Sequence, residues 1–436
     1  MVKYFFNKHL GEFLWVVIGN TVNILGVLLV IKLFTKQLSQ EEYGIYYLSL
    51  TVGIFVNQIF FGPLGNSVSR YYLISVEKFQ VKDLLYTSSD LVKKIIIILT
   101  ILLFFTLAFI IKVDGYRFVV LIISTYFYSI FSGLSSIISS LQNINRERKT
   151  VAFFQILDAF IKIVFTYVFI LFFAKSANVV AVSSAFSAFV LLIFQIIVFR
   201  KNVGIFRFQK DCKHIGYWDK KLISFSLPFS IWGIFTWAQI SSDRWFLQMY
   251  SDNNSIAQYA VLFQIGYYPL TILMGFVVQT ITPFLFSRAG DGIDPKKNAS
   301  STNLNLKVAF LSIILTVFAF FFVFVFHDFI AILLTSSKYY EISKFFPFMI
   351  FSGGLFATSQ ILSLDFISHL RINELMAVKI ITSSLGILFS YLFIRNFGFV
   401  GAIYSNFSFS FMYLLTIFII IIYRFKINSG KDLLQK

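Results

Sequence analysis

Chemistry in this sequence resides in charged residues set inside apolar stretches. In VAFFQILDAFIKIVFTYVF, Asp158 and Lys162 stand four apart, the spacing that brings two side chains to one helix face, where opposite charges pair. Gln155 falls one turn earlier on the same side. In ISSDRWFLQMY (240–250), Asp243 and Arg244 are neighbours, about 100° apart around a helix, so each needs a partner of its own. Gln239 precedes Asp243 by one turn. Asp365 and His369 repeat the four-residue spacing near the end of another apolar run. A charge at the bilayer centre costs ~2.5–3.5 kcal/mol on insertion scales, so such residues face protein or water. Two readings of each group stay open here. Asp158 with Lys162 either lines a polar cavity or neutralises itself while joining helices. Arg244 either reaches into a cavity or extends outward to the headgroups. Asp365 with His369 either titrates as a pair or caps a helix at the interface. Lys32 reads as an interfacial anchor.

The signatures of enzymes are missing from the sequence. There is no GxxxxGK[ST] phosphate cradle and no HExxH. His9, His214, His327 and His369 are scattered, and Cys212 is the single cysteine, which excludes an internal disulfide and any multi-cysteine metal site. AGDGIDPKKN (289–298) holds two aspartates among turn formers and reads as a turn. Neither catalysis nor a cofactor or metal is expected.

The elements that carry these residues must be membrane helices. The 436 residues are 58% hydrophobic and 13% charged, far from the balance of a soluble domain. Runs such as IIIILTILLFFTLAFII (95–111) are apolar on every face, whereas barrel strands would alternate. Spans of the roughly 20 residues a bilayer requires fall at about 13–34, 43–64, 92–111, 117–141, 151–173, 179–199, 222–249, 257–286, 307–333, 345–368, 376–394 and 398–423. The first is basic and then apolar to Phe34 without a cleavage pattern, so it reads as a permanent span. This predicts an all-α protein of twelve transmembrane helices. Counting Lys and Arg in alternate loops gives a roughly fourfold excess on the side of the termini, which are therefore expected in the cytoplasm. The same bias accounts for the net charge of +17 without a nucleic-acid partner. Loops on the other side are too short for an external domain. The longest polar connection, RKNVGIFRFQKDCKHIGYWDKK (200–221), separates a lobe at 1–199 from a lobe at 222–436.

The two lobes read as a repeat. EEYGIYYLSL aligns with IAQYAVLFQI, pairing Tyr43 with Tyr259, and SVSRYY (67–72) aligns with FLFSRA (284–289), pairing Ser69-Arg70 with Ser287-Arg288. A parallel repeat of six helices places a substrate path between halves.

Two blocks carry a family likeness. QLSQEEYGIYYLSLTVGIFVNQIFFGPLGNSVSRYY (37–72) resembles the first loop and second helix of bacterial polysaccharide flippases, the Wzx-type O-antigen and exopolysaccharide exporters of the multidrug/oligosaccharidyl-lipid/polysaccharide (MOP) superfamily. FSLPFSIWGIFTWAQISSDRWFLQMYSDNNSIAQYAVLFQIGYYP (225–269) resembles their seventh and eighth helices, with its Leu-Pro, Ser-Asp-Arg and later Tyr. The resemblance implies a MATE-like pair of six-helix bundles in the bacterial inner membrane. It also implies movement of undecaprenyl-diphosphate-linked oligosaccharide to the outer leaflet, amid membrane lipids and alongside a polysaccharide polymerase and chain-length machinery. Arginine binds phosphate through a bidentate fork and lysine as a point charge. The implied substrate contacts are Lys162 and Arg244 in the cavity, with Arg70 and Arg288 at its inner mouth. Without ATP machinery, proton or sodium coupling would fall to Asp158, Asp243 or Asp365. The rival readings are a multidrug cation antiporter of the same superfamily and a membrane polysaccharide polymerase or glycosyltransferase.

Overall fold

A computed structural model describes residues 2–145, 147–203, 214–289, 294–369 and 371–434. Cys212, with residues 204–213 of the expected linker, and residues 290–293 of AGDGIDPKKN lie outside the described residues. All regular structure among the described residues is helical. Ten helical stretches, from Gln40–Glu77 to Ile372–Arg424, are long and apolar enough to cross a membrane, and α1 (Val2–Gln37) is a further helix. The last of the ten is interrupted at Gly398, whose φ of 56° turns the chain within α13 (Ile372–Leu434); a residue with a Cβ takes up that conformation only under strain.

The chain forms two compact units, Met1–Trp237 and Ala238–Lys436. The boundary falls inside α8 (Ile215–Tyr250) rather than in the expected linker. The reason is local: the first half of α8 is hydrogen-bonded into the first unit, Ser226 to the Pro63 carbonyl, Ser230 to that of Ile59 and Trp237 to that of Thr51.

In the first unit, α5 (Val119–Ile144) packs on α7 (Ala177–Val203), where Ser135 and Ser139 of α5 share hydrogen bonds with Gln195 of α7, while Gly133 on α5 lies against Phe61. Where lipid supplies no hydrophobic drive for association, such bonds hold helices together and small residues let backbones approach. Close approach joins α1 to α6 (Arg148–Phe172), where Gly19 faces Ala152 and Gly26 faces Ala159. Apolar packing gathers around Phe61, Leu64, Leu84, Trp218 and Leu222. Outward residues of α4 (Val81–Asp114), such as Phe104 and Phe105, are exposed, as lipid contact requires.

In the second unit, α12 (Phe346–Ser368) is buried along its length against α11 (Pro295–Leu334), α10 (Tyr268–Ala289) and α13. Side-chain bonds from Asn305 to the Leu362 carbonyl, from Thr302 to Asp365 and between Ser312 and Thr358 set α11 antiparallel to α12.

A shared device marks the second helix of each unit. α2 (Gln40–Val56) passes through a π-turn, Asn57–Phe61, into α3 (Gly62–Glu77). α9 (Asn253–Leu262) passes through Phe263–Tyr267 into α10. Each π-turn is followed by proline at the second position of the next helix, Pro63 and Pro269. Proline has no N–H to return to the carbonyl four residues back, and the widened turn absorbs the break. The carbonyl released by Pro63 belongs to Ile59, and Ser230 fills it at 2.7 Å. The helix starts also correspond: Ser39 caps α2 and Asp252 caps α9. Counted from these caps, Tyr259 takes the position of Tyr46, although α2 runs 17 residues and α9 only 10 before the π-turn.

Candidate functional site

On α6 the expected pair is formed, with Lys162 Nζ 2.6 Å from Asp158 Oδ2. The two side chains are 35% and 27% exposed, so the ammonium is neither sealed in protein nor free in a loop. Near it, Tyr46 OH shares a hydrogen bond of 2.8 Å with Ser184 Oγ, linking α2 to α7. Tyr46 and Tyr128 lie within the electrostatic surroundings of Lys162. The group is a cation held by one carboxylate and bordered by phenols, a setting that suits an anionic or hydroxylated ligand.

The second unit builds a denser centre on the last part of α8. Asp243 is 2% exposed, and its carboxylate accepts three hydrogen bonds. Ser390 Oγ donates to Oδ1 at 2.5 Å, Tyr259 OH to Oδ2 at 2.5 Å and Asn406 Nδ2 to Oδ2 at 3.2 Å. Asn406 also donates to Tyr259 OH at 2.6 Å. Ser390 lies 2.7 Å from Ser405 and 3.2 Å from Ser242. Buried charge survives only with such satisfaction. Arg244, also 2% exposed, donates to the Ile240 carbonyl at 2.8 Å and stands 4.6 Å from the centre of the Phe263 ring and 5.8 Å from that of Tyr259. Stacking on aromatic faces is a guanidinium property that lysine would not reproduce as well.

The remaining residues singled out in the sequence stand apart. Arg70 on α3 and Arg288 at the end of α10 are exposed. Lys162 and Arg244 belong to different units. Asp365 is brought together with His369 at 3.3 Å and receives a 2.7 Å bond from Thr302. Among the described residues no cluster of three or more His, Cys, Asp or Glu is placed to hold a metal ion.

Several participants escaped the sequence reading. Tyr259 was noticed only as a mark of the repeat, and Ser390, Ser405 and Asn406 were not singled out. Lys379, within the expected span at 376–394 but not among the candidate site residues, lies two turns inside α13 with Nζ 3.5 Å from Gln360 Oε1. Its position beyond Met376 and Val378 was the signal available.

The sequence profile of the family described as "Polysaccharide biosynthesis protein" matches residues 10–288. A comparison with curated proteins gives no match. Several solved structures are similar. An inward-facing multidrug resistance MATE family transporter of the MOP superfamily is 13% identical at a TM-score of 0.67, over 94% of this chain and 96% of that one. An outward-facing one is 13% identical at 0.65, over 96% and 97%. A MOP superfamily transporter from Pyrococcus furiosus, described as having a binding pocket of reverse polarity that suggests a different function, is 14% identical at 0.64, over 94% of each chain. At these identities the likeness is one of fold alone, a multi-pass, MATE-like helical fold.

Proposed function

The chain belongs to the polysaccharide biosynthesis protein family, and from that premise we propose that it is a flippase. It would carry an undecaprenyl-diphosphate-linked oligosaccharide from the cytoplasmic to the outer leaflet of a bacterial inner membrane by alternating access. A diphosphate and its sugars cannot enter hydrocarbon unaided, since an ion leaving water for an apolar medium loses many kcal/mol of solvation. A route therefore needs cations and hydrogen-bonding groups within the membrane while the polyprenyl tail stays in lipid.

The observation that carries the reading is Lys162, an ammonium inside an apolar helix that keeps 35% of its side chain accessible in a chain of this family. A lipophilic-cation exporter would favour intramembrane acids without such a base. Lys162 in the first unit and Arg244 in the second are proposed as substrate-binding cations of their own units, and Arg70 and Arg288 as cations that meet the substrate on the cytoplasmic side. Twelve crossings follow when α1 and both arms of α13 are counted as spans, with the termini in the cytoplasm and lobes at 1–199 and 222–436 joined by the linker at 200–221. Asp158, Asp243 and Asp365 are the carboxylates available to couple transport to protons or sodium. At Asp243 a coupling ion would have to displace one of the donors Ser390, Tyr259 or Asn406 from the carboxylate. The polymerase and chain-length machinery would receive the product.

The test is genetic and then chemical. In a strain lacking the protein, lipid-linked repeat units should accumulate in the inner leaflet, and the wild-type gene should clear them. Lys162→Glu and Arg244→Glu should fail to do so although both reach the membrane. Full rescue by both variants would sink the cationic assignment, and efflux of lipophilic cations without lipid movement would favour the antiporter.

A further inference from the structure

Away from the centre on α8, the end of α12 buries an imidazole whose bonding is incomplete. His369 and Asp365 are 8% and 6% exposed. Asp365 Oδ1 accepts from Thr302 of α11 at 2.7 Å, and Oδ2 lies 3.3 Å from His369 Nδ1. A carboxylate oxygen at that distance favours N–H over a lone pair at Nδ1, which leaves the neutral ring with its lone pair at Nε2. That nitrogen is buried and makes no hydrogen bond among the described residues. An unsatisfied buried polar atom forfeits the solvation it had in water, about 1–3 kcal/mol. Three kinds of ligand answer a buried imidazole lone pair: a donor group, a metal ion or a proton. No donor is present, and no third His, Cys, Asp or Glu joins the pair to hold a metal among the described residues.

We propose that His369 is a proton-binding site, the proton adding to Nε2 while Asp365 remains the carboxylate counter-ion. Uptake changes the pair from a buried net anion to an internally neutral ion pair, and so tightens the junction of α12 with α11 that Thr302 already makes. Asp365 is the only Asp, Glu, Lys or Arg on α12. The charged groups at the neighbouring helix ends are Arg288 on α10 and Lys296, Lys297 and Lys307 on α11, all exposed, with the half-buried Asp294 as the cap of α11. On α13 they are Lys379 and Glu374, the latter paired with Arg424 at 2.7 Å, and Arg371 directly precedes that helix. None of them forms an ion pair with Asp365 or His369 among the described residues. Imidazole is suited to this role because its unperturbed charge change falls between about pH 5 and 8. The site rests on the reading above only for its orientation, which puts this end of α12 toward the cytoplasm and makes cytoplasmic pH the signal sensed.

The full-length protein, labelled with 15N in its histidine rings and held in nanodiscs, tests this by NMR, with His369→Gln identifying the resonances. In the wild type, the signal of a bare Nε2 at pH 8 should be replaced by that of an N–H at pH 5, and Asp365→Asn should change the pH at which this occurs. An unchanged Nε2 signal across the range would overturn the proposal, as would a titration indifferent to Asp365→Asn. Should His369→Gln fail to fold, Thr302→Ala and Asp365→Asn identify the resonance by shifting it alone. In proteoliposomes, a step of one pH unit on the cytoplasmic face should change the wild-type flipping rate by up to about tenfold, the limit for one proton, and the His369→Gln rate by less than about twofold. Protonation without any lipid movement would refute the flippase reading and leave the site standing; flipping without protonation would do the reverse.

Discussion

Tyr259→Phe removes one oxygen from the centre of the second unit and changes nothing else in shape, so its effect can be worked out and then compared with an internal standard. The phenol donates to an Asp243 oxygen at 2.5 Å and accepts from Asn406 at 2.6 Å. Bonds to a charged group contribute about 1.5–3 kcal/mol in water-soluble proteins, whereas interhelical bonds in a membrane average about 0.6 and reach about 1.7 kcal/mol. Asp243 keeps its donors Ser390 and Asn406, so the loss belongs near the upper membrane value, about 1.5 kcal/mol. Tyr46, at the matching distance from its helix cap, bonds only a neutral hydroxyl, and Ser184 retains the Val180 carbonyl as acceptor. Tyr46→Phe should then cost about 0.6 kcal/mol. Reversible unfolding in mixed micelles by added SDS measures both variants on one scale. A cycle of Tyr259→Phe with Ser390→Ala should show a coupling above about 0.5 kcal/mol, because both donors serve one carboxylate. If Tyr259→Phe proved no more destabilising than Tyr46→Phe, the argument that a charged, fully hydrogen-bonded carboxylate organises this unit would be wrong.

Three further outcomes follow from other parts of the molecule. Asp158→Asn leaves the Lys162 ammonium beside a neutral amide; with both side chains about a third exposed, the loss should be near the low end for a charge-assisted bond, about 1.5 kcal/mol, and adding Lys162→Met should restore the melting temperature without restoring transport. Gly26→Leu drives a side chain into Ala159, where even a Cβ would stand 2.5 Å from its methyl; thermal denaturation should show about 1–3 kcal/mol of destabilisation from overpacking at the α1–α6 contact. Hydrogen bonds from Ser255 hold the Asp252 carboxyl below its usual range. Its stabilisation is therefore complete above the unfolded value of about 3.9 and is lost as pH falls through the lower folded value. Asp252→Ala should cost about 1 kcal/mol at neutral pH. Asp252→Asn, which caps without titrating, should lack the acid-side loss in a pH series of melts.

Much of this molecule was readable before any coordinates. Whole-helix apolarity in stretches such as residues 95–111 follows from the bilayer as solvent, and needs no knowledge of neighbours. The Asp158–Lys162 pair was equally legible, because a spacing of four on a helix determines a contact by local geometry alone. Asp243 and Arg244 were visible as costly charges, but their directions were not. Arg244 is settled by stacking on Phe263, 19 positions along the chain, and Asp243 by Ser390 and Asn406, the latter 163 positions away. Polar residues so distant carry no mark of sharing one carboxylate, since serine and asparagine in a membrane helix look alike whether they bond across helices or back to their own turn. Lys379 lies inside the expected span at 376–394, and only its partner was hidden, because Gln360 belongs to another helix. The correspondence of Tyr46 with Tyr259 likewise waited on the caps at Ser39 and Asp252. Sequence by itself determined the solvent, the helices and the pairs made within one helix; the tertiary structure alone decided which charges are buried together, because that depends on packing between helices that the 3.6-residue period does not encode.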